Sequence, residues 1–380
     1  MAVWKKQTVW IIAIFLCSFL GMIPEAKTQA AAEPGAVWHV RHLLKEKEEA
    51  VNHNKWERLF RVLNPDLPAY IEEQKRWFRD AVRFVDPGTF RLEAVSVMPD
   101  SEHQLRVWVK QQYRHHRQLH ESQYPLLFEE TASGWKDSDL PFFHLTRGNV
   151  TVHYTDQHLT ELSSIAMDAV TKSLEAFHKR YGWQPRRHVE VKLYHHPEWF
   201  RQSVKLSLPQ WATGWHEANQ SIKFVGVDSY ADKKWFSSGI VHELTHQMVS
   251  ELTGDNAAYW LQEGAAEYYQ SHLLPGIRTE PEEPEQPSWS LTRLEKTSLE
   301  SLKGKAVSRY YRQCYLWFRF LVERYGEKKM QQVFEVLQLS PSIDADASDK
   351  REVTNQRTRA ALRRGLGMPV FELERAAGTK

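Results

Sequence analysis

The chain has 380 residues, with 50 Lys and Arg against 48 Asp and Glu for a formal net charge of +2, and it is 42% hydrophobic, 26% charged and rich in tryptophan, with 15 of them. Balanced charge removes the electrostatic case for a nucleic-acid partner, and the composition places the chain in the ordinary globular class. At roughly 100–200 residues per domain, the length suits two domains.

Residues 1–32 differ from the rest. Lys5 and Lys6 precede the apolar run from Val9 to Ile23, Pro24 ends it, and Ala30-Ala31-Ala32 offers small residues just before Glu33. Positive, apolar and small-residue regions in that order predict a secretory signal peptide. The mature chain is then secreted or held at the cell surface, in association with the cell envelope. The alternative is a retained leader acting as a membrane anchor, although the run is short beside the roughly 20 residues a bilayer span needs. Leu16 before Cys17, where a lipoprotein signal has a small residue, argues against lipidation. Removal of the leader leaves Cys314 as the only cysteine, so no internal disulfide is expected.

From Ala36 to about Asp86 the apolar spacing is helical, with Val37, Val40, Leu43 and Leu44 on one stripe and Ile71, Trp77, Phe78, Val82 and Phe84 on a later one. The period then becomes two. Phe90, Leu92 and Ala94 alternate, and the phase slips so that Val95 and Val97 flank Ser96, as a β-bulge allows. Pro99-Asp100-Ser101 reads as a turn, Leu105, Val107 and Val109 form a second strand, and Tyr124 to Glu130 a third. Ser133-Gly134 then turns the chain into Trp135–Asp139. Residues 36–145 therefore read as an α+β domain of helices packed on an antiparallel meander. The strand, Gly-Trp and Asp ending of Leu126–Asp139 resembles the cystatin-like or nuclear-transport-factor-like cone, which implies an accessory domain that binds a partner, holds a ligand in its cone or supports its neighbour. His115 and His116, beside Arg114 and Arg117, read as a solvated strand end.

A second unit, residues 149–380, opens with a strand at Val150–Tyr154. A helix follows with Ile165, Ala166, Ala169, Val170, Leu174 and Phe177 on its apolar stripe, closing at Tyr181-Gly182. Val189, Val191 and Leu193 predict a strand, as do Ile222, Phe224 and Val225 after a turn at Glu217-Ala-Asn219. Trp211–Gly214 reads as a strand bordering a cleft. The Pro- and Glu-rich stretch 275–287 predicts an exposed loop and a candidate cleft rim, and helices return from about Ser308. His195-His196 follows a strand, where neighbouring side chains point to opposite faces, and reads as loop histidines. His216, beside Trp215, is placed near the cleft without an assigned role.

The chemistry concentrates in His242-Glu-Leu-Thr-His246. On a helix, residues four apart share a face, so both imidazoles can reach one metal while Glu243 points toward the cleft. A catalytic zinc needs a third protein ligand and one open position. The first helix is expected to end near Thr253-Gly254-Asp255 and a second to begin around Tyr259. Trp260-Leu-Gln-Glu-Gly264 lies in this second helix, which doubles back beside the first. Its Glu263 stands 17 positions past His246.

HELTH with WLQEGAAEY resembles the gluzincin metallopeptidases, most nearly the peptidase-MA-like group and more distantly the thermolysin-like and aminopeptidase-N-like families. The resemblance covers about Val150 to Glu374. It implies a gluzincin catalytic domain with a C-terminal helical part, one Zn2+ per chain held by His242, His246 and Glu263, and Glu243 as general base. It further implies that Glu267 orients a ligand histidine, with Gln262 contributing similarly. Tyr311 matches the oxyanion-stabilising tyrosine of aminopeptidase-N-like enzymes, at a helix start with Gly326 closing the helix. The segment departs from that family at Cys314, which stands where the family has Gly, and Tyr310 is the alternative donor. The expected activity is hydrolysis of peptide or protein substrates. Two alternatives remain: an inactive peptidase-like binding or scaffold protein at the cell surface, and a zinc hydrolase acting on peptidoglycan cross-links.

Overall fold

Pro34 opens the first helix, α1 (Pro34–Asn52), at a position where its missing N–H costs nothing. α1 is followed by a short α2 (Trp56–Val62) and by α3 (Pro68–Phe84). In the computed structural model the described residues are 32–226, 233–275, 286–344 and 347–378. The leader apart from Ala32, and residues 276–285 of the Pro/Glu-rich stretch, lie outside them. Among the described residues no helix is long and apolar enough to cross a membrane.

The helices pack on a four-stranded antiparallel meander, β1 (Arg91–Ser101), β2 (Gln104–His115), β3 (Gln118–Thr131) and β4 (Gly134–Asp137). The expected bulge is present. Pairing passes from Ala94↔Val109 to Ser96↔Trp108, so Val95 is the extra residue; it is 54% exposed, while Val97 returns to the core face opposite Val107. Pro99-Asp100-Ser101 is not a turn. It belongs to β1, with Pro99 opposite Leu105, because β1 is an edge strand where a residue without an N–H is tolerated. The strand read as Tyr124–Glu130 is longer, pairing with β2 from Gln118 to Glu129. Val40, Leu44, Trp77, Phe78, Val107, Val109 and Phe128 are among the residues of this core.

The second sheet has five strands in the order β5-β6-β7-β9-β8. A hairpin joins β5 (Phe143–Arg147) to β6 (Val150–Tyr154), and α4 (Thr160–Tyr181) crosses over to β7 (Val189–Tyr194), parallel to β6. α4 ends on left-handed Gly182, whose N–H returns to His178. After α5 (Pro197–Val204) come β8 (Gly214–Trp215) at one edge, antiparallel to β9, and β9 (Ile222–Val225) parallel to β7. The turn before β9 forms as expected, with Asn219 in left-handed backbone and Gln220 N–H donating to Glu217. Side chains alternate across the sheet. Val191, Leu193, Ile222 and Phe224 enter the larger core under the helices, whereas Lys192 and Lys223 are buried on the opposite side, where α3 lies.

The remaining chain is helical: α6 (Lys233–Thr253), α7 (Tyr259–His272), α8 (Leu291–Lys296), α9 (Lys305–Tyr325), α10 (Glu327–Gln338), α11 (Lys350–Leu366) and α12 (Val370–Ala376). α7 packs between α6 and α9. Gly254 and Asp255, both with positive φ, reverse the chain after α6, and the Asn256 amide locks the turn by donating to the carbonyls of Thr253, Leu337 and Ser340. Mixed helix and sheet with a helical C-terminal part agrees with the α+β expectation.

Candidate metal centre

His242 and His246 lie one turn apart on α6 with their Nε2 atoms 3.1 Å from each other. The reversal after α6 carries Glu263, in the second turn of α7, to the same point: its Oε2 is 3.5 Å from Nε2 of each histidine. Tetrahedral bonds of about 2.0–2.1 Å put ligand atoms roughly 3.3–3.4 Å apart, so the three atoms are already spaced as a zinc ligand set. Among the described residues these three are the group able to hold a metal ion. Glu263 Oε2 is also buried without a hydrogen-bond donor, an arrangement that costs free energy and that a cation between the three side chains relieves.

The electrostatics favour a cation as well. Burial works against ionisation of Glu263, but the charges of and contacts with His246 and His242 hold its carboxyl far below the usual range. Burial opposes the charge on His242, yet contact with Glu263 and the charges of Glu267 and Glu243 raise it to about 9. Glu243 is buried, which pushes its pKa up against the two histidines. It faces the edge strand, and a Cβ built on Gly214 would overlap Glu243 Oε1 and stand 2.8 Å from the Phe224 ring. Only glycine lets β8 come this near to the carboxylate.

A second glycine sets the third wall. Gly264 follows Glu263, and a Cβ there would fall 2.5 Å from the Cys314 carbonyl oxygen. α9 therefore crosses α7 in close contact and carries Tyr311 to the cleft, its ring centroid 6.2 Å from that of His242. α9 begins at Lys305, so Tyr311 sits in its second turn rather than at its start, a correction to the expected placement. Burial, with the charges of Glu263, Glu243 and Glu267, pushes the Tyr311 hydroxyl well above its usual pKa, keeping it a neutral donor. Tyr310 is 1% exposed and packs into the core, with its hydroxyl engaged by Cys314.

Glu267, one turn beyond Glu263, places Oε1 3.5 Å from His242 Nδ1. Gln262 lines the cleft beside the ligand candidates, with its amide donating to the Ala257 carbonyl at 2.9 Å, an ordinary helix-start contact. His216 lines the cleft, and its Nε2 is buried without a partner among the described residues. Burial lowers its pKa to about 3, which makes it a neutral group. His195 lies outside the centre, its N–H donating to Thr155, and His196 precedes α5. His115 stacks on Phe84, and the His116 and Arg117 N–H groups donate to the Asp86 carboxylate at the hairpin end. The strand bordering the cleft is Gly214–Trp215 rather than Trp211–Gly214. Trp235 was missed: it lines the cleft from α6, and its helix spacing alone is that of a core residue.

A helix bearing two imidazoles and a carboxylate, closed by a second helix with a buried carboxylate, brings together a group of side chains that could hold one metal ion. Residues 169–348 match the family model described as Peptidase MA superfamily. That span includes α6, α7 and Tyr311 and supports a peptidase-like protein; no curated protein matches the chain.

Proposed function

We propose that the protein is a zinc-dependent metallopeptidase with one Zn2+ per chain held by His242, His246 and Glu263, and that residues 149–380 form its catalytic domain. The observation that carries this reading is the meeting of two imidazole nitrogens and a buried carboxylate oxygen, 3.1–3.5 Å from one another, the oxygen having no donor. When bound, zinc supplies Lewis acidity toward the scissile carbonyl and makes water acidic enough to lose a proton near neutrality. Glu243 then accepts that proton as the water oxygen bonds to the carbonyl carbon, and delivers it to the amine as the C–N bond breaks. The Tyr311 hydroxyl donates to the carbonyl oxygen as it gains charge. Glu267 holds His242 through Nδ1.

The leader supports export, to the medium or the cell surface, and the N-terminal unit, read as cystatin-like, serves the catalytic domain. Purified protein should contain about one zinc per chain, and His246→Ala should lose it along with cleavage of a mixed peptide library followed by mass spectrometry. Wild-type protein without stoichiometric zinc, or zinc undiminished in the variant, counts against the assignment.

A further inference from the structure

Two cavities meet at the metal centre. One, of about 620 Å3, runs past Trp235 and Tyr315; the other, of about 610 Å3, runs past Arg76 and Arg83 of α3 and on to Arg351. Trp211, Gly214, His242, Glu243 and Tyr311 line both, so the proposed catalytic groups stand where the two arms join rather than at the end of either. Each arm alone has the volume of an ordinary ligand pocket.

The arms differ in character. The first is rimmed by the Trp235 indole, 50% exposed, with Trp211, 37% exposed, at the junction. The second is walled by the N-terminal unit. Glu73, Arg76 and Asp80 recur at helical spacing on one face of α3, and each grips the chain around β8. Asp80 accepts from the Ser207 N–H at 3.0 Å and from its hydroxyl, Arg76 Nη1 is 3.1 Å from Glu217 Oε2, and Glu73 accepts from the Ser221 N–H at 3.2 Å. These contacts bracket β8 on both sides, so α3 both fixes the edge strand beside Glu243 and forms a wall of the groove. Among the described residues β8 pairs only with β9, which leaves its outer edge available to an extended chain.

We propose that the protein is an endopeptidase for extended polypeptide segments, in which the substrate lies along β8 through both arms, with an apolar or aromatic side chain against Trp211 and Trp235 and polar residues against the α3 wall. This rests on the metallopeptidase reading. A terminus-directed enzyme closes one arm within about one to three residues of the scissile bond; among the described residues both arms continue past it.

The zinc-loaded full chain, assayed on internally quenched peptides with acetylated N-termini and amidated C-termini, should cut them as efficiently, within about threefold, as the same sequences with free ends. Cleavage confined to free-ended peptides overturns this inference and leaves the peptidase reading standing. If the zinc-loaded protein cuts neither, both fall. Trp235→Ala should raise KM on the order of tenfold for aromatic over alanine-substituted peptides, and Arg76→Ala should do so for peptides elongated toward α3, with kcat little changed. An equal loss by Arg76→Ala on short and elongated peptides marks a merely structural role and removes the N-terminal unit from recognition.

Discussion

Two buried clusters of ionisable groups lie on either side of the five-stranded sheet, and they are built on opposite principles. At the junction with the N-terminal unit, Lys192 Nζ stands 2.7 Å from Glu73 Oε2 and 2.6 Å from Asp139 Oδ2, and Lys223 Nζ stands 3.1 Å from Glu73 Oε1. The remaining capacity is filled by Ser221 on Glu73 and by the Leu140 N–H on Asp139, so two cations face two anions with every carboxylate oxygen occupied. The candidate metal centre instead gathers Glu243, Glu263 and Glu267 around two histidines and leaves a buried Glu263 oxygen without a donor. A cluster that satisfies itself holds a fold together; one that leaves a buried carboxylate oxygen without a donor asks for a ligand.

The sharpest separation is kinetic. Glu243 is outside the ligand set, so Glu243→Gln should lower kcat on the order of 10²–10⁴-fold while zinc content stays near one per chain. Full activity in that variant ends the proposed mechanism. At the junction the effect should appear in stability. Glu73→Gln leaves two buried lysines short of their counter-charge and should cost on the order of 3–5 kcal/mol in urea denaturation. Its pH dependence has a definite sign. Burial works against the Glu73 charge, but Lys192 and Lys223 outweigh it and lower the pKa from 4.5 to about 2. The unfolded chain therefore takes up this proton first on acidification. The Glu73 contribution is complete above pH 4.5 and shrinks as pH falls toward 2, so the gap between wild type and Glu73→Gln should narrow over that window. A gap that widens there assigns the network wrongly.

The same contrast explains what was legible in the sequence. The metal centre depends on i, i+4 spacing within α6 and one reversal, both written locally: His242, His246, the Gly254 turn and Glu263 could be read in order. The bulge at Val95 and the cap at Gly182 were legible for the same reason. The junction was not, because Glu73 meets Lys192 across 119 positions, and a Glu on an amphipathic helix or a Lys on a strand reads as solvated until α3 and the second sheet cover one another. Gln262 shows what a motif position leaves unread, since its amide donates to the Ala257 carbonyl in the preceding turn, a contact the spacing does not announce. Tyr311 falls between. Its segment was recognisable, but the choice over Tyr310 depended on how α9 crosses α7, which rests on the Gly264–Cys314 contact.

Tyr311 tests whether the cleft side of the centre is organised for a developing charge. Tyr311→Phe removes one hydroxyl and little volume, and the expected loss is on the order of 10²-fold in kcat with KM, zinc content and folding little changed. Unaltered kcat takes Tyr311 out of the mechanism.

The smallest effect belongs to Glu267, which joins the two principles in one residue. It is buried enough for its carboxyl to titrate above the usual range despite the charge of His242, and its second oxygen accepts from the Gln270 amide at 2.8 Å. It is thus partnered like a junction carboxylate, yet its Oε1 faces His242 Nδ1 on the side away from the ligand atoms. An imidazole fixed through Nδ1 presents Nε2 in one tautomer and one orientation, and losing that support typically weakens metal binding 10–100-fold. Glu267→Ala should therefore weaken zinc binding by about 10–100-fold in a competitive chelator titration, with thermal stability of the metal-free protein changed much less than by Glu73→Gln. If zinc affinity is unchanged while metal-free stability collapses, Glu267 belongs with the self-satisfied cluster and His242 is held by packing alone.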